Sequence, residues 1–386
     1  MSHVLKYWRE AATLFIVAKT RKPAVTAFQT TNFEILMLKR SGKSSFMPKL
    51  HVFPGGVAHD SDFNPEWMEL YEKTGSKNVS CVKKFLERGG PGTFMFSRTR
   101  PEEFSKIPSE LAFRICAIRE TFEESGILLV RDINCVRNQP ISSNDFPVSG
   151  KTSILSDSIL KDWREKVDED ASQFIVMCKE LDLVPDIWSL YEWSNWLTPL
   201  IPYIQTKELK SGKRYDTAFY LCVLDYIPHA VHCDKETSEL EWTSTSGFLL
   251  KHKDPNHSLE LAPPQLVELS RILNFTDAEK LKHFAWKRSE KRALLYYPIT
   301  CFCADAVLML YPGDDLYPKE PDFEGGNPPL IFNMTADELR KKYPKMNRSE
   351  IFLDGTRTFT CVTDMEDGQI RPLHNLLVDN GASSKL

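Results

Sequence analysis

The sequence has no CxxC pair, no run of about 18 apolar residues, no internal repeat, no low-complexity tract and no excess of basic charge. Each absence closes off a class. Forty-nine Lys and Arg stand against 53 Asp and Glu, a net charge of −4, and this lacks the basic field of a general nucleic-acid binder. A membrane-spanning helix needs about 18 to 20 consecutive apolar residues, and the longest apolar stretches here are strand-sized. The nine cysteines are odd in number and scattered. They read as reduced, mostly buried thiols rather than the disulfide framework of a short secreted chain. Cys301 and Cys303, two positions apart, fall on one face of a strand. The N-terminal apolar stretch, 11–18, is short and has no small-residue cleavage pattern, so it reads as a core strand rather than a signal peptide. Five N-glycosylation sequons, starting at Asn78, Asn256, Asn274, Asn333 and Asn347, would matter only in a secreted chain.

What remains is ordinary globular composition, 42% hydrophobic and 26% charged over 386 residues. That is ample core for one large elaborated domain or two. Residues 11–18 and 33–40 read as strands, followed by His51-Val52-Phe53-Pro54-Gly55-Gly56-Val57, an apolar stretch broken by a Pro-Gly-Gly turn. A helix is expected over 109–125. The roughly fifty residues between, 58–108, hold amphipathic segments at 66–73 and 81–88 and a turn at Gly89-Gly90-Pro91-Gly92. Trp67, Phe85, Phe94 and Phe96 make them an ordered insertion rather than a solvated linker. Beyond the helix we expect a strand at 127–130, a polar loop to about 153 and a helix over 160–181. Strands at 214–226 and 239–246 follow, then a helix opened by Pro263 and Pro264 and running through Leu273. The last hundred residues carry strands near 293–310 and 351–362 and a short helix capped by Thr335.

The helix over 109–125 carries the chemistry. With Leu111 at zero and 100° per residue, Ile115, Ile118 and Phe122 fall within about 40° of it, and Glu120, Glu123 and Glu124 fall opposite. Three carboxylates then share one turn, and Gly126 ends the helix where a left-handed residue fits. Like charges at i, i+4 repel. A hard divalent cation, Mg²⁺ or Mn²⁺, removes that cost and prefers carboxylate oxygen. The alternative is a solvated acidic face.

Gly56 upstream, with Arg119-Glu120-Thr121-Phe122-Glu123-Glu124-Ser125-Gly126-Ile127, resembles the Nudix box, G-x5-E-x7-R-E-U-x-E-E-x-G-U. The aliphatic position holds Thr121. The first half departs further: Asp62 stands where glutamate is expected, and 57 positions rather than 8 separate it from Arg119, so about forty-nine residues interrupt the box. An interrupted box after Arg40-Ser41, Phe46-Met47-Pro48 and His51 to Gly56 resembles the peroxisomal acyl-coenzyme A diphosphatase subfamily of the Nudix hydrolases. Trp196-Leu197-Thr198-Pro199, Arg214-Tyr215-Asp216-Thr217 and Leu261-Ala262-Pro263-Pro264-Gln265 fit the same resemblance, which covers roughly 11–275.

The resemblance implies an α+β Nudix fold, a mixed β-sheet sandwiched between helices, with a Nudix domain over 8–290, the insertion at about 58–108, and a C-terminal extension over 291–386. It implies metal-dependent hydrolysis of the phosphoanhydride of coenzyme A and its thioesters, giving adenosine 3′,5′-bisphosphate and (acyl-)4′-phosphopantetheine. Two other readings stay open: a pyrophosphatase for NADH or ADP-ribose, and a non-catalytic acyl-coenzyme A-binding module. Glu120 and Glu124, with Glu123 and the carbonyl of Gly56, are the candidate ligands of Mg²⁺ or Mn²⁺. Glu123, Glu120 and Arg119 form the catalytic group, the base unassigned among the glutamates and Arg119 orienting a carboxylate. Asp62 is structural or merely the edge of the insertion. Glu236, Glu239 and Glu241 are candidates for a further ligand outside the box. Arg40, then Lys39, Lys43 and Arg214, are candidates for the substrate's 3′-phosphate. Trp188, Trp193 and Trp196 read as core rather than as an acyl or adenine pocket, and His51 as packed and hydrogen-bonded. The chain ends Ser384-Lys385-Leu386 after a polar stretch, the tripeptide read by the peroxisomal import receptor. A peroxisomal location and that receptor as partner are the expectations.

Overall fold

Residues 11–18 form the middle of β1 (Arg9–Val25), and their alternation defines the two sides of the molecule. Ala12, Leu14, Ile16 and Ala18 enter one core, Phe15 and Val17 the other, as the period of two requires. The computed structural model describes residues 8–42, 48–87, 93–142, 144–153, 155–199, 214–233, 235–254, 256–257, 259–323 and 327–373, within 81–87 only the Val82 side chain. Lys43, Phe46, Met47, the side chain of Phe85, the turn at 89–92 and Ser384-Lys385-Leu386 lie outside the described residues.

Antiparallel to β1, with Val17 opposite Ile35, runs β2 (Thr30–Arg40). The two arms of the Pro-Gly-Gly turn are β3 (His51–Val52), paired with β2, and β4 (Gly55–Val57), paired with β1. A small separate pair is made by β5 (Val130–Asp132) and β6 (Leu183–Pro185). With β7 (Tyr191–Leu197), β8 (Tyr215–Leu224), β9 (Thr237–Thr243) and β10 (Leu294–Tyr296), the main sheet has eight strands in the order β10-β7-β8-β1-β2-β3, β4 joining β1 and β9 joining β2. It is mixed: β8 lies parallel to β1 and antiparallel to β7.

Helices cover both faces. In the insertion lie α1 (Glu66–Glu72) and α2 (Ser76–Glu87). The first face is packed by α3 (Ser109–Ser125), with α4 (Ile133–Asn138), α5 (Asp157–Glu169) and α6 (Gln173–Glu180) beyond it. The second is packed by α7 (Thr245–Lys253), α8 (Pro263–Ile272) and α9 (Ala278–Arg288). A second sheet follows: β11 (Ile299–Phe302), β12 (Ala306–Leu310), β13 (Leu330–Ile331), β14 (Asn347–Phe352) and β15 (Arg357–Cys361), ordered β13-β11-β12-β14-β15. On it packs α10 (Ala336–Lys342), whose Thr335 cap forms a capping box with Glu338.

Three local expectations change. The segment expected as one helix over 160–181 is two, because Asp170 takes the Ser172 main-chain N–H at 2.9 Å and ends α5. Such short polar side chains compete with the helix for backbone donors. The polar loop after the box contains α4, capped by the Asp132 carboxylate on Cys135 N–H. The strand expected at 127–130 begins only at Val130. Trp188 lies in the α3-side core, and Trp193 and Trp196 in the other. Past position 290, β10 still pairs with β7.

Candidate functional site

The site is built on α3, and α3 is almost wholly enclosed. Its apolar positions face the sheet, and of the glutamates opposite two are buried, Glu120 at 9% and Glu124 at 3% exposure, while Glu123 is partly exposed. Gly126 closes the helix with φ 72°, the left-handed conformation expected of it, which costs glycine no Cβ strain. The β4 arm lies alongside. The main-chain N–H of Gly55 donates to Glu124 Oε2 at 2.8 Å. A Cβ on residue 56 would collide with the Glu120 carboxylate, so only glycine lets backbone and carboxylate approach this closely. Cys116 Sγ lies 3.9 Å from the Gly56 carbonyl oxygen.

Asp62 resolves the interrupted box. Arg119 Nε and Nη2 donate to its two carboxylate oxygens at 2.8 and 2.9 Å, both residues being buried. This fork-to-fork pairing is the geometry in which guanidinium and carboxylate match best. Asp62 is therefore brought to Arg119 across the insertion, a structural position rather than merely the insertion's edge. Arg119 Nη1 reaches Glu120 Oε1 at 3.0 Å and Glu123 Oε1 at 2.7 Å, and Nη2 reaches the Val57 carbonyl at 3.1 Å. Arg119 thus donates to three carboxylates, those of Asp62, Glu120 and Glu123.

The three glutamates lie together, each acting on the charge of a neighbour, but they do not form a ready-made cage. Among the described residues no three His, Cys, Asp or Glu side chains converge into a ready-made metal cage. The reason is visible: one oxygen each of Glu120 and Glu123 is turned to Arg119, and Glu124 is held by Gly55. The donor set nevertheless suits a hard cation. Burial pushes all three carboxyls upward, Glu123 to about 8 despite the opposing pull of Arg119. Negative charge is thus under-compensated here, and a divalent ion would supply what one arginine does not.

Of the acids outside the box, the structure favours Glu236. Its charge raises both Glu120 and Glu124, whereas Glu239 pairs with Lys39 at 2.8 Å and Glu241 pairs with Lys251. Glu236 is delivered by a loop laid over the C-terminus of α3. Val231 N–H donates to Ser125 O at 2.9 Å and Cys233 N–H to Glu124 O at 3.2 Å. No sequence pattern separates Glu236 from its two neighbours.

The candidate phosphate-binding cations are dispersed. Arg40 is near the site, since its charge draws the Glu124 carboxyl down against burial. It follows a register shift between Lys39 and Arg40 in the β2–β9 pairing, an irregularity found often beside active sites. Lys39 is engaged by Glu239. Arg214 is not brought to the carboxylates. It precedes β8, beside Arg9, whereas Gly56 pairs with Ala12 on the other edge of β1. His51 is buried as expected, but its Nδ1 has no hydrogen-bond partner among the described residues.

Comparison with known proteins adds the following. The family model described as NUDT19 Nudix domain matches residues 8–272, and that described as NUDT19 C-terminal domain matches 300–363. The chain is 37% identical over 388 residues to the Xenopus laevis protein named acyl-coenzyme A diphosphatase NUDT19, covering 97% of each. It is 38% identical over 329 residues to the Gallus gallus protein of the same name, covering 84% of each. A solved Nudix hydrolase from Alicyclobacillus acidocaldarius superposes with a TM-score of 0.45 at 20% identity, over 71% of this chain and 95% of that one.

Proposed function

The chain belongs to the NUDT19 family of Nudix hydrolases, and from that membership and the site we propose that it hydrolyses the phosphoanhydride of coenzyme A and acyl-coenzyme A. The observation that carries the reading is the reassembled box. Arg119, Glu120, Glu123 and Glu124 meet Gly55, Gly56 and Asp62 in one buried cluster, although 57 positions separate Asp62 from Arg119.

Water adds to phosphorus as one P–O bond of the anhydride breaks. The products are adenosine 3′,5′-bisphosphate and (acyl-)4′-phosphopantetheine. Glu120, Glu124 and the Gly56 carbonyl would hold a Mg²⁺ or Mn²⁺ ion, with Glu236 as a further carboxylate. When bound, such an ion neutralises charge on the anhydride oxygens and acidifies water. The chain's own contributions are distinct. Arg119 fixes the rotamers of Glu120, Glu123 and Asp62. One of the three glutamates, in its ionised form, accepts the proton of the attacking water. Arg40 offers the substrate's phosphates a cation beside the carboxylates.

The test is product identification by mass spectrometry with coenzyme A thioesters, dephospho-coenzyme A, NADH and ADP-ribose. Release of phosphopantetheine, with loss of activity on dephospho-coenzyme A, is the expected result. Equal turnover of NADH or ADP-ribose would assign it to the pyrophosphatases, and thioester binding without products to a non-catalytic module. The proposed peroxisomal location rests on Ser384-Lys385-Leu386 as the import-receptor ligand. Removing those three residues should leave turnover unchanged and move the protein to the cytosol by fluorescence microscopy.

A further inference from the structure

The insertion leaves and re-enters the domain at one residue. Ala58, its first position, donates its main-chain N–H to the Glu10 carbonyl at 3.0 Å. At its other end, Arg100 grips the Glu10 carboxylate in a fork, Nε to Oε2 at 2.8 Å and Nη2 to Oε1 at 2.7 Å. Arg98 adds an ion pair to Glu10 at 3.7 Å and another to the buried Asp216 of β8. Arg100 also donates to Ser109 Oγ at 2.8 Å, in the first turn of α3. Its guanidinium lies 5.2 Å from the centroid of the Phe113 ring in the next turn.

Between these polar ends the base of the insertion is closed by aromatic rings. Phe63, next to Asp62, meets Phe104 edge-on at 5.4 Å and Phe113 at 5.6 Å. Phe96 lies 5.9 Å from Phe113. The inserted residues thus come back within a few residues of where they left. The short turn containing Asp62 (Asp60–Phe63) is pinned against the helix carrying Arg119.

We infer that Glu10, Arg98 and Arg100 are positioning residues for the box: they close the insertion so that Asp62 reaches Arg119, and through Arg119 they set the carboxylates of Glu120 and Glu123. The clamp rests on the functional reading only where catalysis is its readout. None of the three touches the carboxylate cluster. They act through Asp62: the middle of the insertion is anchored separately, by buried Trp67 and Tyr71 and by the Tyr71 hydroxyl on the Pro185 carbonyl. The contacts at Glu10 are thus what tie the ends beside the Asp62 turn, and an untied end leaves that turn more orientations. A fixed bidentate pairing requires one orientation.

The experiment uses the full chain, with Glu10→Gln and Arg100→Lys as variants. Three measurements are made: Mn²⁺ binding by electron paramagnetic resonance, amide hydrogen exchange by mass spectrometry, and steady-state kinetics with an acyl-coenzyme A. In Glu10→Gln we expect exchange at 58–63 to quicken at least tenfold while exchange in β1, β7 and β8 is unchanged. Mn²⁺ should bind at least fivefold more weakly, and kcat should fall at least tenfold with KM held within twofold. Arg100→Lys, which keeps the charge and loses the fork, should fall between. A merely structural role would quicken exchange throughout the sheet or lower kcat and raise KM together, and would overturn the assignment. So would unchanged Mn²⁺ affinity and exchange at 58–63 in both variants. If wild-type protein hydrolyses no coenzyme A substrate, the functional reading has failed, and exchange at 58–63 with Mn²⁺ affinity still decides the clamp. If Glu10→Gln does not fold, the same measurements on Arg100→Lys decide it.

Discussion

Glu124 is the residue on which the metal reading can be tested most directly. Its carboxylate is 3% exposed, it accepts from Gly55 N–H, and burial with the charges of Glu120 and Glu236 raises its proton affinity. Glu124→Gln keeps the side chain's shape and an acceptor oxygen for Gly55 while removing the charge. We predict a turnover loss of at least about a hundredfold, roughly 3 kcal/mol of lost transition-state stabilisation, with an unchanged circular dichroism spectrum and melting temperature. Near-normal turnover would place the metal elsewhere. At this scale the sequence was informative where residues are contiguous. Arg119, Glu120, Glu123 and Glu124 are legible because one helical turn relates them. Asp62 was legible only as a position, because its partner is 57 residues away and proximity of that kind is made by tertiary closure. Glu236 was one of three equal candidates until the pairs Lys39–Glu239 and Lys251–Glu241 removed the other two.

The element that decides the site is α3, whose 109–125 bounds follow from its heptad-like apolar spacing and Gly126 stop. Its burial on both sides did not follow: the wheel shows an acidic face, and only the insertion and β4 show that this face is covered. That coverage has a consequence for pH. The Glu123 carboxyl is held at about 8 in the fold, with burial the leading cause, against about 4.3 for an exposed glutamate. Between these values the folded chain holds a proton that the unfolded chain has released, so stability falls as pH rises through the window. In EDTA the melting temperature should therefore drop from pH 6 to pH 8, by a slope of up to roughly 1 kcal/mol per pH unit for one proton. Saturating Mg²⁺ should flatten that slope by replacing the proton with a cation, and Glu123→Gln should lessen it in EDTA alone, Glu120 and Glu124 being raised as well. Equal slopes with and without Mg²⁺ by differential scanning calorimetry would show that no ion meets these carboxylates. Elsewhere, elements with apolar periodicity were legible (β1, β2, α8), whereas the α5–α6 break turns on one aspartate's choice of hydrogen bond.

For the whole molecule the question is whether the second sheet is a separate unit. Among the described residues its strands pair only with one another, yet it shares a core with the first. Tyr311 and Phe359 join the cluster containing Trp193, Trp196 and Tyr296, with Trp196 and Tyr296 rings 4.5 Å apart and Trp196 and Tyr311 5.8 Å apart. At the centre of that core is a buried ion pair. Glu268 of α8, fully buried, accepts from Trp193 Nε1, Trp196 Nε1 and Ser194 Oγ, each at 2.7 Å, and from Arg271 at 2.8 and 2.9 Å. Arg271 in turn contacts Tyr296 and Met365, and Gln369 Nε2 donates to the Trp193 carbonyl at 2.9 Å. A buried ion pair contributes little over apolar packing, but removing one partner strands the other. Glu268→Ala leaves the Arg271 charge without its carboxylate and takes the acceptor from two indoles and a hydroxyl. A loss of about 3 to 5 kcal/mol is expected, measured by urea unfolding. Because the network lies in a core shared with Tyr311 and Phe359 of the second sheet's side, amides of β12 and β14 should lose protection from hydrogen exchange together with those of β7 and β8. Retained protection in β12 and β14 while β7 and β8 exchange would mean that the C-terminal sheet folds on its own, and that the chain is two cooperative units joined near position 298.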